Sequence, residues 1–184
     1  MPASRADLAS YLERLGIATE TVEHPPLFTV EQSQALRGEI AGGHTKNLFL
    51  KDKKDRVFLV VAEEDAEIDM KSLHRRIGSA RLSFGRAELL MELLGVAPGS
   101  VTPFGAINDT AGRVTIILDS GLMRHELLNF HPLENTATTT IGRDDMLVFL
   151  RHTGHEPQIL AVVGAEPAAS AADSALESRA RLAT

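Results

Sequence analysis

The run Gly43-His44-Thr45-Lys46-Asn47-Leu48-Phe49-Leu50-Lys51-Asp52-Lys53-Lys54-Asp55-Arg56-Val57-Phe58-Leu59-Val60-Val61 holds two apolar stretches joined by a charged turn. Leu48 to Leu50 and Val57 to Val61 have the length and bulky side chains of strands, and Lys53-Lys54-Asp55 is a polar connector between them. The pattern predicts a hairpin. Both strands are near-continuously apolar rather than alternating, which places the hairpin centrally in its sheet. At its entrance a glycine turn hands over to Lys46 and Asn47, so that one fixed cation and one amide stand at a strand mouth.

Working outward, Ser4 caps a helix from Arg5 to Leu15, with Leu8, Leu12 and Leu15 on one face and Gly16 as its stop. A strand follows near Ala18 to Val22. Thr29 and Gln32 have capping-box spacing, so a short helix runs from Val30 to about Leu36, before the Gly38 to Gly43 loop. Past the hairpin, Asp69 caps a helix ending at Gly78, Ala80 to Phe84 is a short strand, and Arg86 to Leu94 is a helix stopped by Gly95. Strands recur at Val114 to Leu118, Glu126 to Phe130 and Thr136 to Ile141. A last helix opens near Asp144, ahead of a strand at Gln158 to Val163. Helices and hairpins in mixed order predict an α+β fold: a single domain with a mixed, largely antiparallel, barrel-like sheet flanked by helices. The domain spans residues 1–164. The Ala-rich tail, 165–184, reads as a mobile or weakly helical extension.

Composition bounds the function. The chain has 184 residues, 43% of them hydrophobic, enough for one domain with a proper core. Cysteine is absent, which excludes disulfides, thiolate metal sites and cysteine nucleophiles. No apolar run is long enough for a membrane span, and the first residues lack the pattern of a signal peptide, so the expected location is cytoplasmic. The net charge of -6 is unevenly spread: His44 to Arg86 carries ten Lys or Arg against seven Asp or Glu. Lys51, Lys53, Lys54, Arg75, Arg76 and Arg81 belong to this basic segment. They read either as a solvated face or as a phosphate-binding face with salt-sensitive affinity for nucleic acid.

Several tempting motifs fail. A P-loop needs Gly-Lys-Ser/Thr, whereas the order here is Gly43-His44-Thr45-Lys46. His125 and His131 are six residues apart rather than four, too far along a strand to share a metal, so no metal site is expected. No Gly-x-Ser-x-Gly elbow is present. Lys46 reads either as a surface lysine or, given the neighbouring glycines and Asn47, as a phosphate contact. His131 sits at a strand end, either satisfied by nearby backbone or placed for chemistry. His24, His44, His74, His152 and His155 read as surface or packing residues. Gly99 to Gly105 is either a plain turn or a loop that offers N–H groups to a carbonyl. Phe28, Thr29 and Phe130 are candidate walls of a small pocket, with core packing the alternative for the two phenylalanines.

Residues 43–52, 99–105 and 129–136, in that order, resemble the free-standing aminoacyl-tRNA deacylases related to the editing insertion of bacterial prolyl-tRNA synthetase, the YbaK-like family. The resemblance runs from about Arg5 to Gly164. Asn129-Phe130-His131-Pro132 and the following threonine run are most similar to the branch that hydrolyses alanyl-tRNA(Pro). The resemblance implies Lys46, Asn47 and His131 as the catalytic set. It implies Phe28, Thr29, Gly99, Pro103, Phe104, Gly105 and Phe130 as substrate-binding residues. It further implies a trans-editing deacylase in which water attacks the ester inside a pocket too small for proline, with no cofactor. The partners would be the acceptor end of tRNA(Pro) and, transiently, prolyl-tRNA synthetase. Two alternatives stay open: a deacylase for another small aminoacyl-tRNA (Cys, Ser or Thr), and a non-catalytic module that binds a nucleotide or tRNA end.

Overall fold

In a computed structural model, which describes residues 1–27, 29–37 and 40–164, the chain folds as one α+β unit. Its elements are α1 (Arg5–Arg14), β1 (Thr19–Glu23), α2 (Val30–Arg37), β2 (Gly43–Asp52), β3 (Val57–Glu63), α3 (Leu73–Ile77), β4 (Leu82–Phe84), α4 (Ala87–Leu94), β5 (Val114–Asp119), β6 (Leu127–Phe130), β7 (Ala137–Gly142), α5 (Arg143–His152) and β8 (Gln158–Leu160). The expectations at Phe28, at Gly38 and for the tail 165–184 lie outside the described residues.

The strands pair in the order β1-β7-β6-β2-β3-β5-β8, with β4 added to β2. The class and the mixed sheet flanked by helices are as expected. The pairings β1·β7, β7·β6, β2·β3 and β2·β4 are antiparallel, and β2·β6, β3·β5 and β5·β8 are parallel. β1 and β8 end the path, so the sheet is open. β2 is its hinge: Gly43 and His44 pair with β6, while Leu50 to Asp52 pair with β4.

β3 is buried on both faces, which is why its sequence is continuously apolar. Phe49, Leu59, Val61, Ile116 and Leu118 pack with α1, α4, α5, β6 and β7, whereas Leu50, Phe58, Val60, Ala62 and Ile117 pack with Leu73 and Ile77 of α3. Strand alternation thus divides one sheet between two cores.

The caps follow the sequence in most places. Ser4 and Asp7 form a reciprocal capping box on α1. Thr29 and Gln32 do the same for α2, each side-chain oxygen accepting the other residue's N–H. Gly78 and Gly95 close α3 and α4 in the left-handed conformation. One cap differs: α3 starts only after Ser72, and Asp69 accepts the Lys71 N–H in the preceding turn instead of capping the helix.

Asp52 fixes the hairpin turn. Its buried carboxylate accepts the N–H groups of Lys54, Arg56 and Ala80 and pairs with the Arg56 guanidinium. Burial works against the charge, but these hydrogen bonds outweigh it and hold the Asp52 carboxyl below its ordinary value. Among the described residues no helix is long and apolar enough to cross a membrane.

Candidate active site

A small cavity of about 50 Å³ opens where β2 meets β6, lined by Leu27, His44, Thr45, Asn47, Glu64, Asn129, Phe130, His131 and Thr138. Its volume is several times the roughly 10–15 Å³ that one water requires and far below the roughly 300–1,000 Å³ of pockets for larger ligands. It suits one small chemical group and a water.

Asn129 builds the junction beneath it. Its side-chain amide donates to the Ala41 carbonyl, its Oδ1 accepts from Thr140, and its own carbonyl accepts from Thr45. Gly42 and Gly43 serve this junction. A Cβ on Gly42 would come 2.8 Å from the Leu127 carbonyl oxygen, and one on Gly43 would come 2.9 Å from the His125 ring. The glycines let β2 lie against β6.

His131 follows β6 directly, at the strand end the sequence indicated. The turn after it holds Leu133 at φ +69°, a conformation costly for a branched side chain, and so brings His131 back onto β7. There its Nδ1 donates to the Ala137 carbonyl at 3.0 Å, which leaves Nε2 as the acceptor. Burial pushes the imidazole below its ordinary value, and nearby His24 adds to this; the Ala137 carbonyl and Glu64 work in the opposite direction.

Asn47 and Lys46 are separated. Asn47, opposite Val61, lines the cavity, whereas Lys46, opposite Ala62, leaves β2 on the other face and is not among the lining residues. The Lys46 ammonium donates to the Ala66 carbonyl, in the loop that follows Glu64. Lys46 is also the fourth residue of its strand rather than at the mouth, because β2 already begins at Gly43. The sequence had set cation and amide side by side; neighbouring positions in a strand cannot share a face. The Asn47 Oδ1 is buried and has no hydrogen-bond partner among the described residues.

Of the expected substrate-binding residues, Phe130 forms a cavity wall, its ring edge-on to Phe104 at 5.8 Å. Thr29 is exposed and occupied with its cap, and Phe28 lies outside the described residues. Leu27 is the lining residue from that segment, clamped by Asn135, whose amide bonds both its N–H and its carbonyl.

The Gly99 to Gly105 segment divides in the same way. Phe104 and Gly105 are buried, and their N–H groups go to Thr102. A Cβ on Gly105 would sit 2.8 Å from that of Leu94, so this glycine is required for packing against α4. Pro103, also buried, begins a 3-10 turn over Pro103–Ile107. None of Pro103, Phe104 and Gly105 lines the cavity. Gly99, at φ +92°, approaches the Asn135 amide instead.

The sequence reading missed His24, His44, Thr138 and Glu64. His24 Nδ1 donates to the Pro25 carbonyl and its Nε2 accepts from Thr138, with its ring 6.3 Å from that of His131. His44 lines the cavity rather than only packing. His155, by contrast, is a packing residue, buried against Asp109 at 2.9 Å. Only the spacing between distant strands brings these groups together, and no local motif carries that information.

The basic residues gather at the other end of β2. Lys51 pairs with Asp55, and Arg76 holds the carbonyls of Ala161 and Gly164. Lys54 gives its N–H to Asp52, and Arg75 lies on α3. Lys53 and Arg81 line a cleft of about 530 Å³ with Met70, Lys71, His74, Leu82 and Ser83. No group of three or more metal-ligating side chains in metal-binding arrangement occurs among the described residues.

A small polar cavity at a strand junction, without a nucleophile elbow, is what a hydrolase of an already activated ester needs. Residues 24–149 match the model of the aminoacyl-tRNA editing domain. A zebrafish (Danio rerio) prolyl-tRNA synthetase associated domain-containing protein 1 is 43% identical over 158 residues, covering 85% of this chain and 86% of the relative. The prolyl-tRNA editing protein ProX of Acetoanaerobium sticklandii is 35% identical over 156 residues, covering 84% of this chain and 94% of the relative. The crystal structure of a candidate trans-editing enzyme for prolyl tRNA synthetase superposes with a TM-score of 0.65 at 22% identity, over 88% of this chain and 99% of the other, and supports the fold. The chain belongs to the aminoacyl-tRNA editing domain family. It is an aminoacyl-tRNA deacylase, so the non-catalytic alternative gives way to an enzyme whose substrate is an aminoacylated tRNA.

Proposed function

We propose that this deacylase hydrolyses alanyl-tRNA(Pro) in trans, with the aminoacyl ester seated in the cavity between β2 and β6. The observation that carries the reading is the cavity itself: about 50 Å³, with Phe130 and Leu27 as apolar walls and Asn47 and His131 among its polar groups. A methyl side chain fits such a space, and a proline ring is refused by size. A synthetase pocket built for proline discriminates poorly against alanine, because each missing methylene costs only ~1–3 kcal/mol. A second, smaller pocket completes the sieve. The prolyl-tRNA names of the two relatives support tRNA(Pro) as the carrier and prolyl-tRNA synthetase as the source of the mischarged substrate.

In this mechanism the His131 Nε2 accepts a hydrogen bond from water and orients it toward the ester carbonyl carbon. Attack forms the new C–O bond; collapse breaks the bond to the ribose oxygen, which takes up the proton, and releases free alanine and tRNA. Lys46, bonded to a carbonyl and to no carboxylate among the described residues, keeps its charge for the phosphate of the terminal nucleotide. The cleft at Lys53 and Arg81 lies six residues beyond Asn47, ~20 Å along the strand at about 3.3 Å per residue, and is assigned to the acceptor-stem backbone.

The test is a time course of deacylation with alanyl-tRNA(Pro) and prolyl-tRNA(Pro) in parallel. Loss of alanine with retention of proline is expected. Equal loss of both, or preference for seryl, cysteinyl or threonyl esters in the same assay, would overturn the alanine assignment.

A further inference from the structure

An aromatic ring stands in solvent on the rim of the sheet. Phe84, in β4, is 63% exposed, more than any other large apolar side chain among the described residues apart from Met1. It belongs to neither core, and no aromatic ring or guanidinium of a described residue stacks on it. A lone apolar side chain on a surface needs no explanation, so its position and its neighbours decide. The outer edge of β2 pairs with β6 at Gly43 and His44 and with β4 from Leu50 to Asp52, so residues 45–49 have no described strand beside them on that edge. The cavity opens at one end of this gap, and Phe84, opposite Leu50, borders the other. Directly opposed residues share a face, and so do residues an even number apart in one strand, which puts Phe84 on the face of Lys46 and of Leu82. Leu82 lines the basic cleft. Phe84 therefore stands between Lys46 and the cleft, ~13 Å beyond the level of Lys46 at about 3.3 Å per residue. Residues 79–87 around it include Arg81 and Arg86 and no carboxylate.

We infer that Phe84 stacks on one of the unpaired bases that precede the terminal adenosine, and so carries the single-stranded end of the substrate across the gap between cleft and cavity. The inference rests on the proposed deacylase function and goes further, by naming a binding residue outside the three motifs and a substrate feature that neither cavity nor cleft reads. A bare ring set among cations is the combination that holds single-stranded nucleic acid, the cations taking phosphates and the ring taking a base. The spacing agrees: ~13 Å corresponds to about four nucleotides at the 3.4 Å stacked rise, and to fewer when the strand is stretched. Phosphates on either side of the stacked base then meet Lys46 and the cleft at Lys53 and Arg81. Every base has a π face, so the contact adds affinity for an unpaired end without choosing its sequence. Because the ring lies outside both cores, replacing it leaves the fold intact.

The experiment measures deacylation of alanyl-tRNA(Pro), of a short alanylated CCA oligonucleotide, and of the same oligonucleotide with both cytosines made abasic. Phe84→Ala should raise KM for the tRNA and for the CCA oligonucleotide by roughly fivefold to hundredfold, the range of one base stacked on an aromatic ring, with kcat unchanged. Phe84→Leu should fail in the same way, and Phe84→Trp should match or better the wild type. On the abasic oligonucleotide the wild type and all three variants should share one KM. An unchanged KM in Phe84→Ala would leave the ring to a protein partner and overturn the inference. A wild-type KM in Phe84→Leu, or an equal loss on the abasic oligonucleotide, would overturn it as well, and each of these results leaves the deacylase function standing. Failure of the wild type to hydrolyse alanyl-tRNA(Pro) would overturn the function and the inference with it.

Discussion

At the scale of single residues, His131 is the group whose environment is most clearly set. Its Nδ1–H is fixed by Ala137, and burial keeps the ring neutral to a lower pH than the ordinary value of 6.5, with His24 and Glu64 as its titratable neighbours. The neutral form accepts the water's hydrogen bond, so kcat/KM should hold level from weakly alkaline pH down to about 6.5 and fall below it. The same shift affects folding. Below the ordinary value the unfolded chain takes up a proton that the native ring still refuses, so stability falls as pH drops through that window. Chemical denaturation of wild type and His131→Ala at neutral and mildly acidic pH should show a smaller loss in the variant. His131→Ala should also lower kcat/KM by roughly tenfold to hundredfold, from the loss of one oriented hydrogen bond in the transition state. An unchanged pH profile in the variant would remove His131 from the chemistry.

At the scale of elements, the Thr102 to Gly105 segment is a packing device. Gly105→Ala forces a methyl against Leu94 and should cost about 1–3 kcal/mol of stability, read as a lower thermal midpoint, while activity per folded molecule is unchanged. The hairpin turn makes a parallel case: Asp52→Ala strands the N–H groups of Lys54, Arg56 and Ala80 and should cost about 2–3 kcal/mol. Much of this level was legible in the sequence, because helix caps, stop glycines and apolar runs are local signals. Ser4, Thr29, Gly78 and Gly95 act where their neighbours said they would. The errors arose where a role depends on which face a residue occupies. Lys46 and Asn47 are adjacent in the chain and opposed across the sheet. Phe104 and Gly105 sit in a loop by composition and in the core by packing. His24, Glu64 and Thr138 enter the site through the β1·β7 and β2·β3 pairings, whose partners lie far apart in the chain.

At the scale of the whole molecule, β2 links the cavity and the basic cleft. Its start borders the cavity, and its far end joins the basic cleft at Lys53, Lys71 and Arg81. A tRNA whose aminoacyl end occupies the first can lay its backbone across the second. Paired charges such as Lys51 with Asp55 contribute little to this attraction. The double charge reversal Lys53→Glu, Arg81→Glu should therefore raise KM for full-length tRNA and flatten its dependence on salt, while deacylation of a short aminoacylated CCA oligonucleotide stays unchanged. Equal effects on both substrates would place the stem elsewhere.

The central claim is that the ester reacts in the cavity at Asn47, and Asn47→Leu tests it most directly. The substitution keeps the side-chain shape and removes a buried acceptor that has no partner among the described residues, so thermal stability should be equal to the wild type or higher while alanyl-tRNA(Pro) hydrolysis is lost. A folded Asn47→Leu variant that deacylates alanyl-tRNA(Pro) at the wild-type rate would contradict the account.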